Sequence, residues 1–360
     1  MVQFTSFFLL GVASLSALIA AHPGEGHNAE AAARAAFLQS KSLQSRSIAN
    51  CLSSSLKARG YEARNIARRE AALQKIREAR GLRRYMKARD LDTLLNRTHH
   101  SNLTGLTPFT DPDMLFHSNG TCVLSEDVTQ GPYYVTGELI RNDLTESQKG
   151  VPLYLDIQLV DSSTCDPIPE VYLDIWHCNA TGVYSGIVAN GNGNADDSSN
   201  LNTTFLRGVQ KTGPDGVVQF QTIFPGHYTS RANHIHVLSH PANETIVYPN
   251  GTISGLYSAH ASHVGQLFFD QDLISAVEDT DPYSTNTQTL TENSEDSILA
   301  QEADSGIDPF VEYVFLGDDV SDGIFGWISV VIDTSEDSTI TPAAEYTAEG
   351  GESNDNSRPF

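Results

Sequence analysis

Residues 151–161, VPLYLDIQLVD, alternate strictly: Val151, Leu153, Leu155, Ile157 and Leu159 fall on one side, Tyr154, Asp156 and Gln158 on the other. A period of two suits only an extended chain with one face buried, so this stretch is a strand over a core. EVYLDIWHC, GVVQFQTIF, NHIHVLSH, GQLFFD, FVEYVFLGD and GIFGWISVVID have the same character, with Pro, Gly, Asn and Asp clusters between them. Short strands in succession, with no helical pattern between them, predict one mainly β antiparallel sandwich over residues 101–335. The acidic stretch within 270–308 reads as a solvated loop, and 336–360 as an acidic disordered tail.

The amino-terminal part has a different composition. Residues 1–21 carry an apolar run ending in small residues, the pattern of a secretory signal peptide, although its leading part lacks Lys and Arg. Residues 22–100 are rich in Ala, Arg, Leu, Glu and Lys, and Ile66, Leu73, Ile76 and Tyr85 recur at roughly helical spacing. We expect a basic helical arm or pro-segment here, packed on the acidic domain or on a second subunit as a homodimer contact. Arg68-Arg69 and Arg83-Arg84 are dibasic pairs that a processing protease would recognise.

Charge separates the two parts. Residues 22–100 hold 16 Lys+Arg against 7 Asp+Glu, whereas 101–360 hold 6 against 38, for a net −23. So negative a main domain argues against nucleic acid and anionic membranes as partners. Sequons begin at Asn96, Asn102, Asn119, Asn179, Asn202, Asn243 and Asn250, which together point to an exported, extracellular glycoprotein. Cys51, Cys122, Cys165 and Cys178 are an even set compatible with two disulfides, in any of three pairings. Strand geometry makes Cys165 and Cys178 unlikely to pair with each other.

Chemistry concentrates in PGHYTSRANHIHV, residues 225–237. Side chains two apart on a strand share a face, so His234 and His236 can converge on one metal ion. Tyr228 follows a Pro-Gly turn able to aim its phenol at them; as a phenolate it would be a hard anionic donor suited to ferric iron. Arg231 places a permanent cation beside them, able to hold a substrate oxyanion. Taken singly, each of these residues is more ordinary as core or surface.

This segment resembles the signature of the intradiol ring-cleavage dioxygenases. The likeness continues through QGPYYVTGELIRNDLTESQKGVPLYLDIQLVD and VYLDIWHCNATGVYSG to GQLFFD, roughly residues 122–270 in family order. It implies an immunoglobulin-like β-sandwich, often with helices mediating dimers, and a non-haem Fe(III) bound by Tyr184, Tyr228, His234 and His236. It implies that Arg231 stabilises negative charge on the substrate, that Gln266 stands behind the ligands, and that Tyr228 is the ligand displaced when substrate binds. The substrates implied are a small aromatic diol of catechol type and O2, giving a muconic-acid-type product. Only five residues separate Tyr228 from His234, shorter than in the intracellular members and closer to the secreted ones.

Two rival classes are a metal-free secreted β-sandwich that binds or adheres, and a copper-dependent oxygenase using His22 as a free amino terminus. His177 reads as structural, His260 and His263 as residues able to edge the site through their nearness to Gln266, and His99, His100 and His240 as unmatched. The Asn179 sequon, beside Tyr184, would go unused if its turn is buried.

Overall fold

The computed structural model describes residues 56–82, 131–189, 191–194, 196–241, 245–253, 260–304, 308–335, 337–347 and 349–354. The leader, Cys51, Cys122, His22, His99, His100, the second dibasic pair, and the sequons at Asn96, Asn102, Asn119 and Asn243 lie outside the described residues.

In chain order the elements are α1 (Leu56–Ala79), β1 (Val135–Thr136), β2 (Pro152–Asp161), β3 (Tyr172–Trp176), β4 (Arg207–Lys211), β5 (Val217–Ile223), β6 (His234–His240), β7 (His260–Ala261) and β8 (His263–Phe268). There follow α2 (Gln271–Glu278), α3 (Ser297–Asp304), β9 (Glu312–Phe315), β10 (Ile324–Ile332), β11 (Ser338–Thr339), β12 (Ala344–Thr347) and β13 (Gly350–Ser353). Two four-stranded sheets, ordered β5-β2-β10-β9 and β4-β3-β6-β8, form the sandwich. Its core is the alternating set expected: Leu153, Leu155, Ile157 and Leu159 of β2 meet Leu173 and Ile175 of β3, Ile235 and Val237 of β6, and Leu267 of β8.

The first sheet is not wholly antiparallel. β10 runs parallel to β2, from Ile324 opposite Leu153 to Ile332 opposite Asp161. Parallel neighbours need a long connection, and here it is the whole second sheet.

The helical arm behaves as an outer layer. α1 lies across the outer face of the first sheet, where Ile66 and Leu73 pack with Val314, Leu316, Phe325 and Trp327. The polar residues of β2 that face away from the core are its partners. Arg68 binds Asp156 through Nη2 at 2.7 Å and Nε at 2.9 Å, Arg69 Nε reaches the same carboxylate at 3.2 Å, and Asn65 donates to Gln158 at 2.7 Å. Arg68-Arg69 is therefore committed to packing, which leaves it a poor processing site in the folded chain.

Two expectations need correcting. The acidic stretch after residue 270 is not merely a solvated loop: α2 buries Leu273, Ile274 and Val277 against the core, and α3 buries Ile298 and Leu299. The carboxyl-terminal stretch is not wholly disordered, since β12 pairs in parallel with β1 and antiparallel with β13, and Ile340, Ala343 and Ala344 are buried. In both places a few apolar residues at the right spacing outweigh the acidic composition around them. Among the cysteines, Cys165 is disulfide-bonded, whereas Cys178 is a free buried thiol whose Sγ contacts the Gly226 carbonyl at 3.2 Å.

Candidate metal centre

The site lies on the outer face of the second sheet. Register puts His236 of β6 between Trp176 of β3 and Gln266 of β8, with His234 opposite Phe268. The His236 ring stacks on Trp176 at 4.8 Å with an interplanar angle of 2°. His234 Nδ1 lies 2.7 Å from the Ala232 carbonyl, the geometry of an N–H donor. That bond leaves His234 Nε2 with its lone pair directed into the site.

Two turns bring the phenols to these imidazoles. Tyr184 sits in the turn after β3, its N–H donating to Asn192 Oδ1 at 2.7 Å and its carbonyl accepting from Asn192 and Asn200. Arg207 holds the next residue, donating to the Ser185 carbonyl from Nη2 at 2.7 Å, and also to the Tyr133 carbonyl at 2.7 Å. Tyr228 follows Pro225-Gly226, and this turn closes against the Tyr184 turn. A Cβ on Gly226 would stand 2.3 Å from the Asn179 carbonyl oxygen, so only glycine permits the approach. The Asn179 side chain accepts from the Thr181 and Val183 amides and donates to Gln148. Its amide is thus part of the turn, which makes this sequon a poor acceptor in the folded chain.

The four sequence-selected donors converge. His234 Nε2 stands 3.1 Å from His236 Nε2, 3.4 Å from Tyr184 Oη and 3.5 Å from Tyr228 Oη. Donors at about 2.0–2.2 Å from one ion, at angles of about 90–120°, lie about 2.8–3.8 Å apart. All four side chains are buried, Tyr184 and His236 completely. Among the described residues no group of three or more His, Cys, Asp or Glu could hold a metal ion, so any centre here depends on the phenols.

Burial sets the protonation of this set. It pushes His236 well below the usual imidazole range, with His234 nearby adding to the effect, so this imidazole is neutral. Burial likewise pushes both phenols well above 10, helped at Tyr184 by repulsion from Tyr228 and opposed at Tyr228 by Arg231. Buried phenols ionise only against a strong local positive charge, which a trivalent cation supplies. Two phenols, two imidazoles and one fixed guanidinium therefore fit a hard ferric ion.

Arg231 is buried completely. It donates from Nε to Asp296 Oδ2 at 2.9 Å and from Nη2 to Gln266 Oε1. Burial works against its charge, but Asp296 outweighs that and holds its pKa above the ordinary value. Gln266 is thus both beside His236 in the sheet and bonded to Arg231.

Other histidines are placed elsewhere. His177 bridges the Cys178 carbonyl at 2.8 Å and Thr222 Oγ1 at 2.7 Å, and burial lowers it to about 4, as a structural residue should be. His263 does not edge the site: it is opposite Ser239, three positions from Gln266, so alternation turns it to the other face of the sheet.

A family model described as Dioxygenase matches residues 129–300, a span that encloses every one of these site residues. That stretch, just under half of the chain, is where its likeness to the dioxygenases lies. Among solved structures, an intradiol ring-cleavage dioxygenase from Tetranychus urticae is 28% identical, covering 61% of this chain and 98% of its own, with a TM-score of 0.49. The dioxygenase domain of a carbohydrate-binding fusion from Streptomyces is 24% identical over 57% of this chain and 96% of its own, at 0.36. A hydroxyquinol 1,2-dioxygenase from Pseudomonas putida is 17% identical over 61% and 70%, at 0.36. No curated protein matches. The chain departs from sequence reasoning mainly in residues that no motif revealed. Trp176 under His236, Asp296 behind Arg231, and Asn192 and Asn200 at Tyr184 are fixed by sheet register and by long loops. The Trp176 contact was available in principle, by aligning YLDIW antiparallel with HIHVL, had the register been known.

Proposed function

We propose that this protein is a secreted Fe(III) enzyme that opens catechol-type diols between their hydroxylated carbons. The observation that carries the reading is the donor cluster: His234 Nε2 within 3.1–3.5 Å of a second imidazole nitrogen and two phenol oxygens. Tyr184, Tyr228, His234 and His236 would hold the ion. Bound there, Fe(III) supplies a Lewis acid and template that gathers the diol and activates it toward O2.

The chain's own groups divide the remaining work. His234 is kept in one tautomer by the Ala232 carbonyl, and His236 in one plane by Trp176. Tyr184 is fixed at its backbone by Asn192 and Asn200, which suits it to be the phenol that would remain on the ion. Tyr228 hangs on a short turn, and burial raises the proton affinity of its oxygen. Tyr228 Oη would accordingly be the atom that accepts a proton from the diol. Arg231 presents a permanent cation to the negative charge the diol acquires. Tyr133, 4.8 Å from the Tyr184 ring and 5.9 Å from that of Tyr228, walls the same pocket.

Secretion is supported by the apolar leader, by the run of sequons and by the disulfide at Cys165, a bond that persists in oxidising compartments. Iron analysis with a visible spectrum, before and after 4-methylcatechol, tests the assignment. Stoichiometric iron, a red-brown phenolate-to-iron band that shifts on adding the diol, and displacement of that band in Tyr184→Phe are expected. A colourless protein carrying zinc or copper would falsify the iron assignment, and copper with an intact resonance signal would favour a copper oxygenase.

A further inference from the structure

The acidic segment after residue 270 supplies a carboxylate whose connections reach the centre. Asp296 is buried and accepts four hydrogen bonds. On one side, Oδ1 takes the Ile298 N–H at 2.8 Å and the Leu299 N–H at 3.0 Å, which caps α3. On the other, Oδ2 takes Arg231 Nε at 2.9 Å and the Ala232 N–H at 2.8 Å. The carbonyl of the same residue, one peptide unit further on, lies 2.7 Å from His234 Nδ1. One side chain thus joins a helix start, the substrate-facing guanidinium and the tautomer-setting partner of an imidazole donor.

We infer that Asp296 is a positioning residue for the centre. It sets the direction of the Arg231 fork and anchors Ala232, the residue whose carbonyl orients His234, which makes the start of α3 and the loop before it part of the active site. The inference rests on the iron reading above. Its physical content is that the Oδ2 half of the carboxylate governs the site and the Oδ1 half governs the helix. The two halves can be separated.

Asp296→Asn separates them. Asparagine caps helices about as well as aspartate, so its oxygen can keep the Ile298 and Leu299 amides. Its NH2 then confronts two donors, Arg231 Nε–H and the Ala232 N–H, and both bonds are lost. Outer partners of metal ligands typically govern affinity or activity by about 10–100-fold. The expected result for Asp296→Asn is kcat on 4-methylcatechol lower by about that factor with KM changed less. Faster loss of iron to a chelator and a displaced charge-transfer band should accompany it.

Leu73→Ala is the control. It removes packing of α1 on the outer face of the first sheet, so it should lower the melting temperature while leaving band position and iron retention as in the parent. Asp296→Asn with kcat and chelator kinetics within twofold of the parent would overturn the proposal, as would Leu73→Ala reproducing all of its losses. If Asp296→Asn does not accumulate as folded protein, Asp296→Ser, also a competent cap but too short to reach Arg231, carries the same readouts. A parent protein that takes up no iron and shows no band defeats the iron reading itself; a coloured parent with an unaltered variant defeats only the role of Asp296.

Discussion

The two outer faces of the sandwich each bury carboxylates, and they treat them in opposite ways. On the first sheet Asp156 lies under α1 with Arg68 and Arg69 at 2.7–3.2 Å and Gln219 at 2.8 Å. Burial alone would raise its pKa, but these partners prevail and hold it below the usual range. On the second sheet Glu138 and Asp174 surround Arg207 beneath the turns that carry the phenols. Arg207 Nη1 stands 3.6 Å from Glu138 and spends its other nitrogens on backbone carbonyls, while His240 Nε2 stands 3.6 Å from Asp174. Here burial prevails: Glu138 is pushed up to about 8 and Asp174 well above its ordinary range. Burial is equal on the two faces, so direct hydrogen bonds to the carboxylate decide the outcome. One face uses its charge to fasten a helix, and the other keeps proton-binding groups beside a reactive pocket.

The largest effect should come from breaking the first arrangement. Asp156→Ala leaves Arg69 buried without its carboxylate, and a denaturant titration should show a loss of about 3–5 kcal/mol. A loss below about 1 kcal/mol would mean that α1 is held by apolar contacts alone.

The second face should answer to pH instead. The folded pKa of Glu138 lies above its unfolded value near 4.5, so the fold favours the protonated acid. Its contribution is therefore complete below about pH 4.5 and lost as pH rises toward about 8. Asp156, with a lowered folded pKa, runs the other way and loses its contribution only as pH falls through the acid range. Glu138→Gln should flatten the fall in stability between those limits, measured by urea unfolding across pH, and leave the acid limb untouched. An unchanged slope would place the titration elsewhere in the Arg207 cluster.

The smallest effect belongs to Arg64, whose side chain is half exposed where it meets Asp215 at 2.9 Å. Arg64→Ala should leave the unfolding midpoint unmoved, because exposed pairs are screened and cost entropy to hold.

The legibility of the sequence follows the same division. β2 and β5 were readable from a period of two, and β3, β6, β8, β9 and β10, buried on both faces, as short runs of strand-forming residues between turn clusters. β4 was not, since RGVQK is mostly polar and offers a single large apolar residue, Val209. α2 and α3 are single-turn patterns of two or three apolar residues in an acidic context, too short for periodicity to register. The six proposed site residues could be selected because local motifs carry them, and the structure brings them together. Asp296, Trp176 and Arg207 act through contacts 65, 60 and 74 residues away in sequence, across loops or a sheet whose register no local pattern specifies.

The parallel pairing of β2 with β10 has a consequence for how the chain is made. β10 is the last long strand to be synthesised, yet it fills an interior position between β2 and β9. Until Ile332 has left the ribosome, β2 offers one unsatisfied ladder, and a chain halted before Ile324 keeps it. Such nascent chains present an open edge of Leu153, Leu155, Ile157 and Leu159 to their neighbours, which makes the interval before completion the period of greatest aggregation hazard for this protein.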